Sequence, residues 1–182
     1  MSRPPDFAIR RLDRLEGSAI DTLADVLIDC VEGGASVGFM HPLAPERARS
    51  FWSRVASDLE RGSRCLLAAE VAGAIVGTVQ LVLDLPENQP HRADLVKMLV
   101  HRRARRMGVA SALLRAIEEE AVALGRTLLV LDAVTDGPAA LLYERAGWIR
   151  VGPIPRFALM PDGAPCGTTF YYRDLSQSAQ TS

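Results

Sequence analysis

The stretch LVKMLVHRRARRMGVASALLRAIEEE, residues 95–120, constrains the fold most. It opens as an apolar, strand-like run that ends at Val100. It then turns basic, with Arg102, Arg103, Arg105 and Arg106 close together, and from about Gly108 its apolar residues recur at helical spacing. A second apolar run, TLLVLDAV at residues 127–134, follows Gly125. It is too continuously apolar for a strand with one wet face, so it reads as a central strand covered on both sides. Strand, helix and strand in this order predict one parallel pair joined by a right-handed crossover. The turn into the helix is then an anion site. The first helical N–H groups have no intrahelical partner, and the helix dipole is positive there. Gly108 and Ala110 leave room for close approach, and the arginines add charge. A pyrophosphate or similar diffuse anion is the natural guest; a solvated basic face is the plain alternative.

The rest of the chain fills in around this unit. Residues 7–12, FAIRRL, read as a first strand, and residues 17–31 as an amphipathic helix stopped by Gly33 and Gly34. The loop GGASVGFMHPL, residues 33–43, mixes glycines with Val37, Phe39 and Met40. A solvated connector would be more polar, so this loop either plugs the core or faces a substrate. Residues 45–62 form a second helix, with Pro45 in its first turn. Residues 65–71 and 74–83 read as a hairpin about Ala72-Gly73, followed by a loop to Arg92 and a strand at residues 94–100. The basic helix ends near Leu124, the apolar strand follows, and residues 136–147 form a short helix. Strands begin at Trp148 and Thr168, with a turn at MPDG between them. The predicted order is β-α-α-β-β-β-α-β-α-β-β in a single domain, residues 1–175, with a disordered tail at residues 176–182.

Composition removes several classes. A net charge of −1 argues against a general nucleic-acid binder, so the arginine cluster is a local feature suited to small anions. No apolar run reaches the ~18 residues of a membrane span. Cys30, Cys65 and Cys166 show no pairing pattern and read as free thiols of a reducing cytoplasm. His41, His91 and His101 lack ligand spacing, so no metal is expected. Neither a P-loop nor a G-x-G-x-x-G fingerprint occurs.

Two motifs on this element order carry a resemblance. One is R-x-x-G-x-A at Arg105, Gly108 and Ala110. The other is A-x-x-L-Y-x-x-x-G-[FW], which runs from Ala139 through Tyr143 and Gly147 to Trp148. The chain resembles the GNAT superfamily of acetyl-CoA-dependent N-acetyltransferases over nearly its whole length. Within that family, GGASVGFM, the RAD of Arg92 to Asp94, and the late prolines before Asp162-Gly163 look like the tabtoxin-resistance acetyltransferases, which act on an amino-acid-like β-lactam toxin. The resemblance implies an α/β fold with a central, mostly antiparallel sheet, one splayed parallel pair and about four flanking helices. It also implies acetyl-CoA as cosubstrate, a small amine as acceptor and a homodimer. Arg102 stands where many members have proline, and Asp136 where many have a cofactor-contacting asparagine.

The chemistry needs a neutral amine, a polarised thioester, alignment and a proton for the departing sulfur. A lysine-like amine is almost fully protonated at neutral pH, so a carboxylate base is useful. Asp94, before the anion turn, and Asp132, near the end of the central strand, are candidates; each also suits a solvated carboxylate. Tyr143 is the candidate proton donor to sulfur, or a core tyrosine. The resemblance implies main-chain contacts from Met98, Leu99 and Val100, along a strand bulge that sequence does not display. It implies phosphate contacts from Arg103, Arg105, Arg106, Met107, Gly108, Val109, Ala110 and Ser111, with Asp136 and Ala139 opposite. Val37, Gly38, Phe39 and Met40 would line the acceptor side. The open rivals are a peptide or protein amine as acceptor, and a non-catalytic acyl-CoA sensor.

Overall fold

The computed structural model describes residues 7–176. One seven-stranded sheet has the order β1-β2-β3-β4-β5-β7-β6. Its strands are β1 Ala8–Arg11, β2 Arg64–Val71, β3 Ala74–Val82, β4 Arg92–Val100, β5 Leu128–Val134, β6 Ile149–Leu159 and β7 Pro165–Asp174. The helices are α1 Gly17–Glu32, α2 Pro45–Glu60, α3 Val109–Ala123 and α4 Pro138–Arg145. Among the described residues only β4 and β5 pair in parallel; all other neighbours are antiparallel. This is the mixed sheet that the sequence predicts. The predicted tail, beyond Ser176, lies outside the described residues.

Local chemistry explains most element boundaries. Ala72 (φ 48°) and Gly73 (φ 81°) are both left-handed, as the tight β2–β3 hairpin requires. Pro45 and Pro138 occupy the first turns of α2 and α4, where a missing N–H costs nothing. Strand β6 runs well beyond the Val151 at which the sequence pattern stops. It is an edge strand, so Pro153 and Pro155 remove no ladder bond that a central strand would need.

Two cores lie on opposite faces of the sheet. On one face α3 sets Val109, Leu113 and Ile117 against Val79, Leu81, Leu129 and Leu131. On the other face α1 and α2 set Leu27, Trp52 and Val55 against Leu66, Ala68 and Leu99. The two helices pack on β2, β3 and β4, so the β5–β7–β6 part of that face is left open. Strand β4 changes allegiance along its length: Ala93 and Leu95 belong to the α3 core, whereas Leu99 belongs to the α1–α2 core. A regular strand keeps positions four apart on one face, so β4 contains an irregularity between them. Among the described residues no helix is long and apolar enough to cross a membrane.

Candidate active site

The irregularity opens the site. Gln80 pairs with Val96 and Thr78 with Leu99, so Lys97 and Met98 together oppose Val79. This is a β-bulge, with Lys97 left-handed at φ 53°. Pairing between β4 and β5 is confined to Arg92–Leu128, Ala93–Leu129 and Asp94–Val130. Beyond Asp94 the two strands part, and the β5-facing main chain of Met98, Leu99 and Val100 has no strand partner.

At the end of β4 the chain makes the anion turn. His101 donates its amide to the Val76 carbonyl (2.8 Å) and accepts the Arg103 amide at Nδ1 (3.1 Å). A single tight turn, Arg102–Ala104, follows. Arg106 (φ 63°) and Gly108 (φ 82°) are both left-handed, and Gly108 caps α3. The amides of Arg106, Met107, Gly108, Val109, Ala110 and Ser111 find no hydrogen-bond partner among the described residues; the ladder of α3 starts with the Ala112 amide on Gly108. Consecutive free amides of this kind make an anion nest. Open space surrounds the position of a Cβ on Gly108, so glycine is required there by backbone conformation rather than by crowding.

The four arginines do not share one task. Backbone groups and α1 engage three of their side chains. Arg102 turns to α1, giving its amide and Nε to the Asp29 carboxylate, each at 2.8 Å. Arg103 reaches the Ile75 carbonyl (3.3 Å), and Arg105 the Val100 carbonyl (3.5 Å). Arg106 has no bond or ion pair among the described residues.

The glycine-rich loop has a double role. Phe39 meets Phe51 edge-on at 5.4 Å and packs with Val37 against the α1–α2 core, while Met40 is 39% exposed. Ser36 bonds the Leu159 carbonyl (2.9 Å) and the His41 amide bonds the Pro161 carbonyl (2.9 Å), which ties the loop to the β6–β7 hairpin. The loop thus packs on the core through Val37 and Phe39 and is tied to the hairpin through Ser36 and His41.

Three chemical groups border the parted strands. Asp94 forms an ion pair with Arg92. Asp132 lies two positions past the last β4–β5 pair, on the open face, with no ion pair among the described residues. Surrounding protein raises its pKa; Lys97 draws it down and Asp94 pushes it up, and the net shift is upward. Tyr143 of α4 is 4% exposed, with its ring against Trp148 (5.8 Å) and Tyr171 (6.1 Å). Burial, then the charge of Asp132, hold its phenol far above the usual value, so it is fully protonated at neutral pH. Asp136 (φ 56°) and Ala139 mark the entry and first turn of α4, Asp136 reaching Arg150 at 3.6 Å. A groove of about 650 Å³ runs between α3 and α4, from Ser111 and Pro138 to Glu118 and Arg173. Among the described residues no three His, Cys, Asp or Glu side chains cluster for a metal.

Residues 27–148 match the Acetyltransferase (GNAT) family. The chain belongs to this family. The acetyltransferase is 35% identical over 129 residues to an uncharacterized N-acetyltransferase in the hisH-hisA intergenic region of Azospirillum brasilense, covering 70% of this chain and 75% of that one. Its fold matches an N-acetyltransferase from Staphylococcus aureus Mu50, with a TM-score of 0.77 at 18% identity over 93% of this chain and 98% of that one. It also matches yncA of Salmonella typhimurium, solved with acetyl-CoA, with a TM-score of 0.75 at 15% identity over 93% and 94% of the two chains.

The GNAT acetyltransferase adds one residue that sequence reasoning missed. Lys97 Nζ lies 5.6 Å from the Phe51 ring centre and 6.0 Å from that of Phe39. A lysine inside a strand reads as a surface cation; only the bulge turns it into the site.

Proposed function

We propose that this GNAT acetyltransferase transfers acetyl from acetyl-CoA to the primary amine of a small, amino-acid-like molecule, of the tabtoxinine-β-lactam kind, by direct attack. The observation that carries the reading is the pair of parted strands. Among the described residues they have six amides without a partner at one end and a carboxylate without an ion pair beside them. The amide nest at Arg106 to Ser111 fits a pyrophosphate, and the unpaired main chain of Met98 to Val100 fits an amide-bearing arm added as a strand. The cosubstrate supplies an activated acyl thioester.

The chain's own groups do the rest. Asp132 takes the ammonium proton, directly or through water, and its raised pKa favours that role. Asp94, engaged by Arg92, assists through its charge. As the C–N bond forms and the C–S bond breaks, Tyr143 gives its hydroxyl proton or a hydrogen bond to the leaving sulfur. Asp136 and Ala139 flank the nest from α4. Val37, Gly38, Phe39 and Met40 shape the acceptor side, and the ties of the flanking Ser36 and His41 to the β6–β7 hairpin favour a small acceptor over a protein tail. The homodimer that the resemblance implies is supported by the apolar edge strand β6, whose Val151 and Phe157 are 68% and 51% exposed.

CoA release from acetyl-CoA with amino acids, β-lactam antimetabolites, aminoglycosides and peptides tests the reading. A small amino-acid-like amine should give the highest kcat/KM. Asp132→Asn should lower that value about 10²–10⁴-fold and remove the acidic limb of the pH profile. Tyr143→Phe should lower kcat more than it changes KM. A peptide winning the screen would replace the acceptor class. Binding of acetyl-CoA without turnover on any amine would identify a sensor.

A further inference from the structure

Lys97 is a cation with no anion. Among the described residues it makes no ion pair and no hydrogen bond, although it lies half-buried on the acceptor side. Its nearest features are the faces of Phe39 and Phe51, and a Cβ built on Gly38 would lie 3.6 Å from Nζ. Position 38 thus borders this ammonium. Burial and the charge of Arg64 both disfavour the charged form, and Asp132 only partly offsets them. Arg64 brings no acceptor, since it is itself paired with Asp58 at 3.0 Å and donates to Gln80 Oε1 at 2.8 Å. The Nε2 donor of the fully buried Gln80, paired with the residue before Lys97, is also unmet among the described residues. Lys97 Nζ and Gln80 Nε2 are thus two neighbouring donors without an acceptor among the described residues. An ammonium partly withdrawn from water in this way gains from an anion that meets it. The backbone adds a cost of its own, because Lys97 holds a left-handed conformation that a lysine seldom adopts.

We propose that Lys97 anchors the carboxylate of the acceptor, so that the substrate is an aminocarboxylate held at both ends. Its amine lies toward Asp132 and Asp94, and its carboxylate meets the ammonium framed by Phe39, Phe51 and Gly38. The sites of opposite charge share one open face and feel each other's fields. A neutral amine or an acceptor with a capped carboxylate would leave Lys97 unmet. This inference rests on the N-acetyltransferase reading above and narrows its substrate class.

The test compares the proteinogenic L-amino acids with their primary amides as acceptors, for wild type, Lys97→Met and Lys97→Arg. Wild type should favour free acids over amides. Lys97→Met should raise KM for acids and lower kcat/KM for them about 10- to 100-fold, the worth of one charge-assisted hydrogen bond, while leaving the amides near wild type. Lys97→Arg should recover part of the preference. The acetyl-CoA-induced melting shift should be the same in all three proteins, which separates acceptor binding from fold and cosubstrate effects. Acetylation of acids and amides with equal efficiency, unchanged in Lys97→Met, would overturn the anchor and leave the transferase reading standing. Absence of transfer to any amine by wild type would overturn that reading and the anchor with it.

Discussion

Asp29 of α1 holds the anion turn in place, and its replacement by asparagine should loosen both fold and site. The carboxylate is 7% exposed and accepts the Arg102 amide at Oδ2 and the Arg102 Nε at Oδ1, each at 2.8 Å. Asparagine keeps the shape but offers one acceptor oxygen, so its amide group faces one of these donors. The part-buried bond from the main-chain amide to the carboxylate dominates, and losing it should cost about 2 kcal/mol. The Arg102 guanidinium is open to water and adds nothing to that sum. For a chain of this length the loss corresponds to about 4–8 °C in Tm. The sign of the pH effect follows from the pKa. Burial acts to raise Asp29, but the bonds from Arg102 outweigh it and the net shift is downward. Its stabilisation is therefore complete above the unfolded carboxylate value of about 3.9 and is lost as pH falls through the lower folded value. Thermal melts of wild type and Asp29→Asn should differ by a constant gap from pH 8 to about 5 and converge below about 4. Because Arg102 starts the turn that leads into the nest, acetyl-CoA should also bind the variant several-fold more weakly. A variant melting within about 1 °C of wild type at neutral pH, or a gap unchanged at about pH 3.5, would refute the assignment.

Two further substitutions separate conformation from charge. Gly108→Asn and Gly108→Asp place similar side chains at φ 82° in open space, so both should fold with a penalty of about 1 kcal/mol. Acetyl-CoA at ~100 times its Kd should stabilise wild type by about 2.7 kcal/mol; much of that shift should survive in the Asn variant and vanish in the Asp variant in thermal melts. Ala72→Asn should relieve the left-handed turn residue of the β2–β3 hairpin, raise stability by roughly 0.5–1 kcal/mol, and leave turnover unchanged when Tm and kcat are measured together.

Elements with their own punctuation were legible in the sequence. Ala72-Gly73, Pro45 and the R-x-x-G-x-A turn each fix a local backbone state, and the elements between them match the expected order. The apolar run of β5 announced its place inside the sheet, but the expectation that both its faces are covered fails: only Leu129 and Leu131 are buried, and Asp132 is exposed on the open face. The length of β6 was not legible, because its register breaks at Arg150–Gly152 and Ile154–Ala158 destroy the alternation that marks a strand. The division of labour among Arg102, Arg103, Arg105 and Arg106 was hidden as well. A row of arginines looks alike in sequence, and only the position of Asp29 on α1 draws Arg102 away.

The bulge in β4 was the costliest thing to miss, and its physics shows why the site is where it is. Without it, Lys97 would continue the alternation set by Ala93 and Leu95 and direct an ammonium into the α3 core among Val79, Leu113 and Leu129. Leu99 would follow it there, leaving a void beside Trp52 and Leu27. One extra residue opposite Val79 resolves both conflicts: Leu99 moves to the α1–α2 core and Lys97 comes out beside Phe39 and Phe51. The same kink ends the pairing with β5 after Asp94 and leaves Asp132 on an uncovered stretch of sheet. Strand parting, the carboxylate and the ammonium are therefore one structural event. A substitution that straightened β4 would close the slot and bury a charge at once, so the cost of burying Lys97 itself holds the site open.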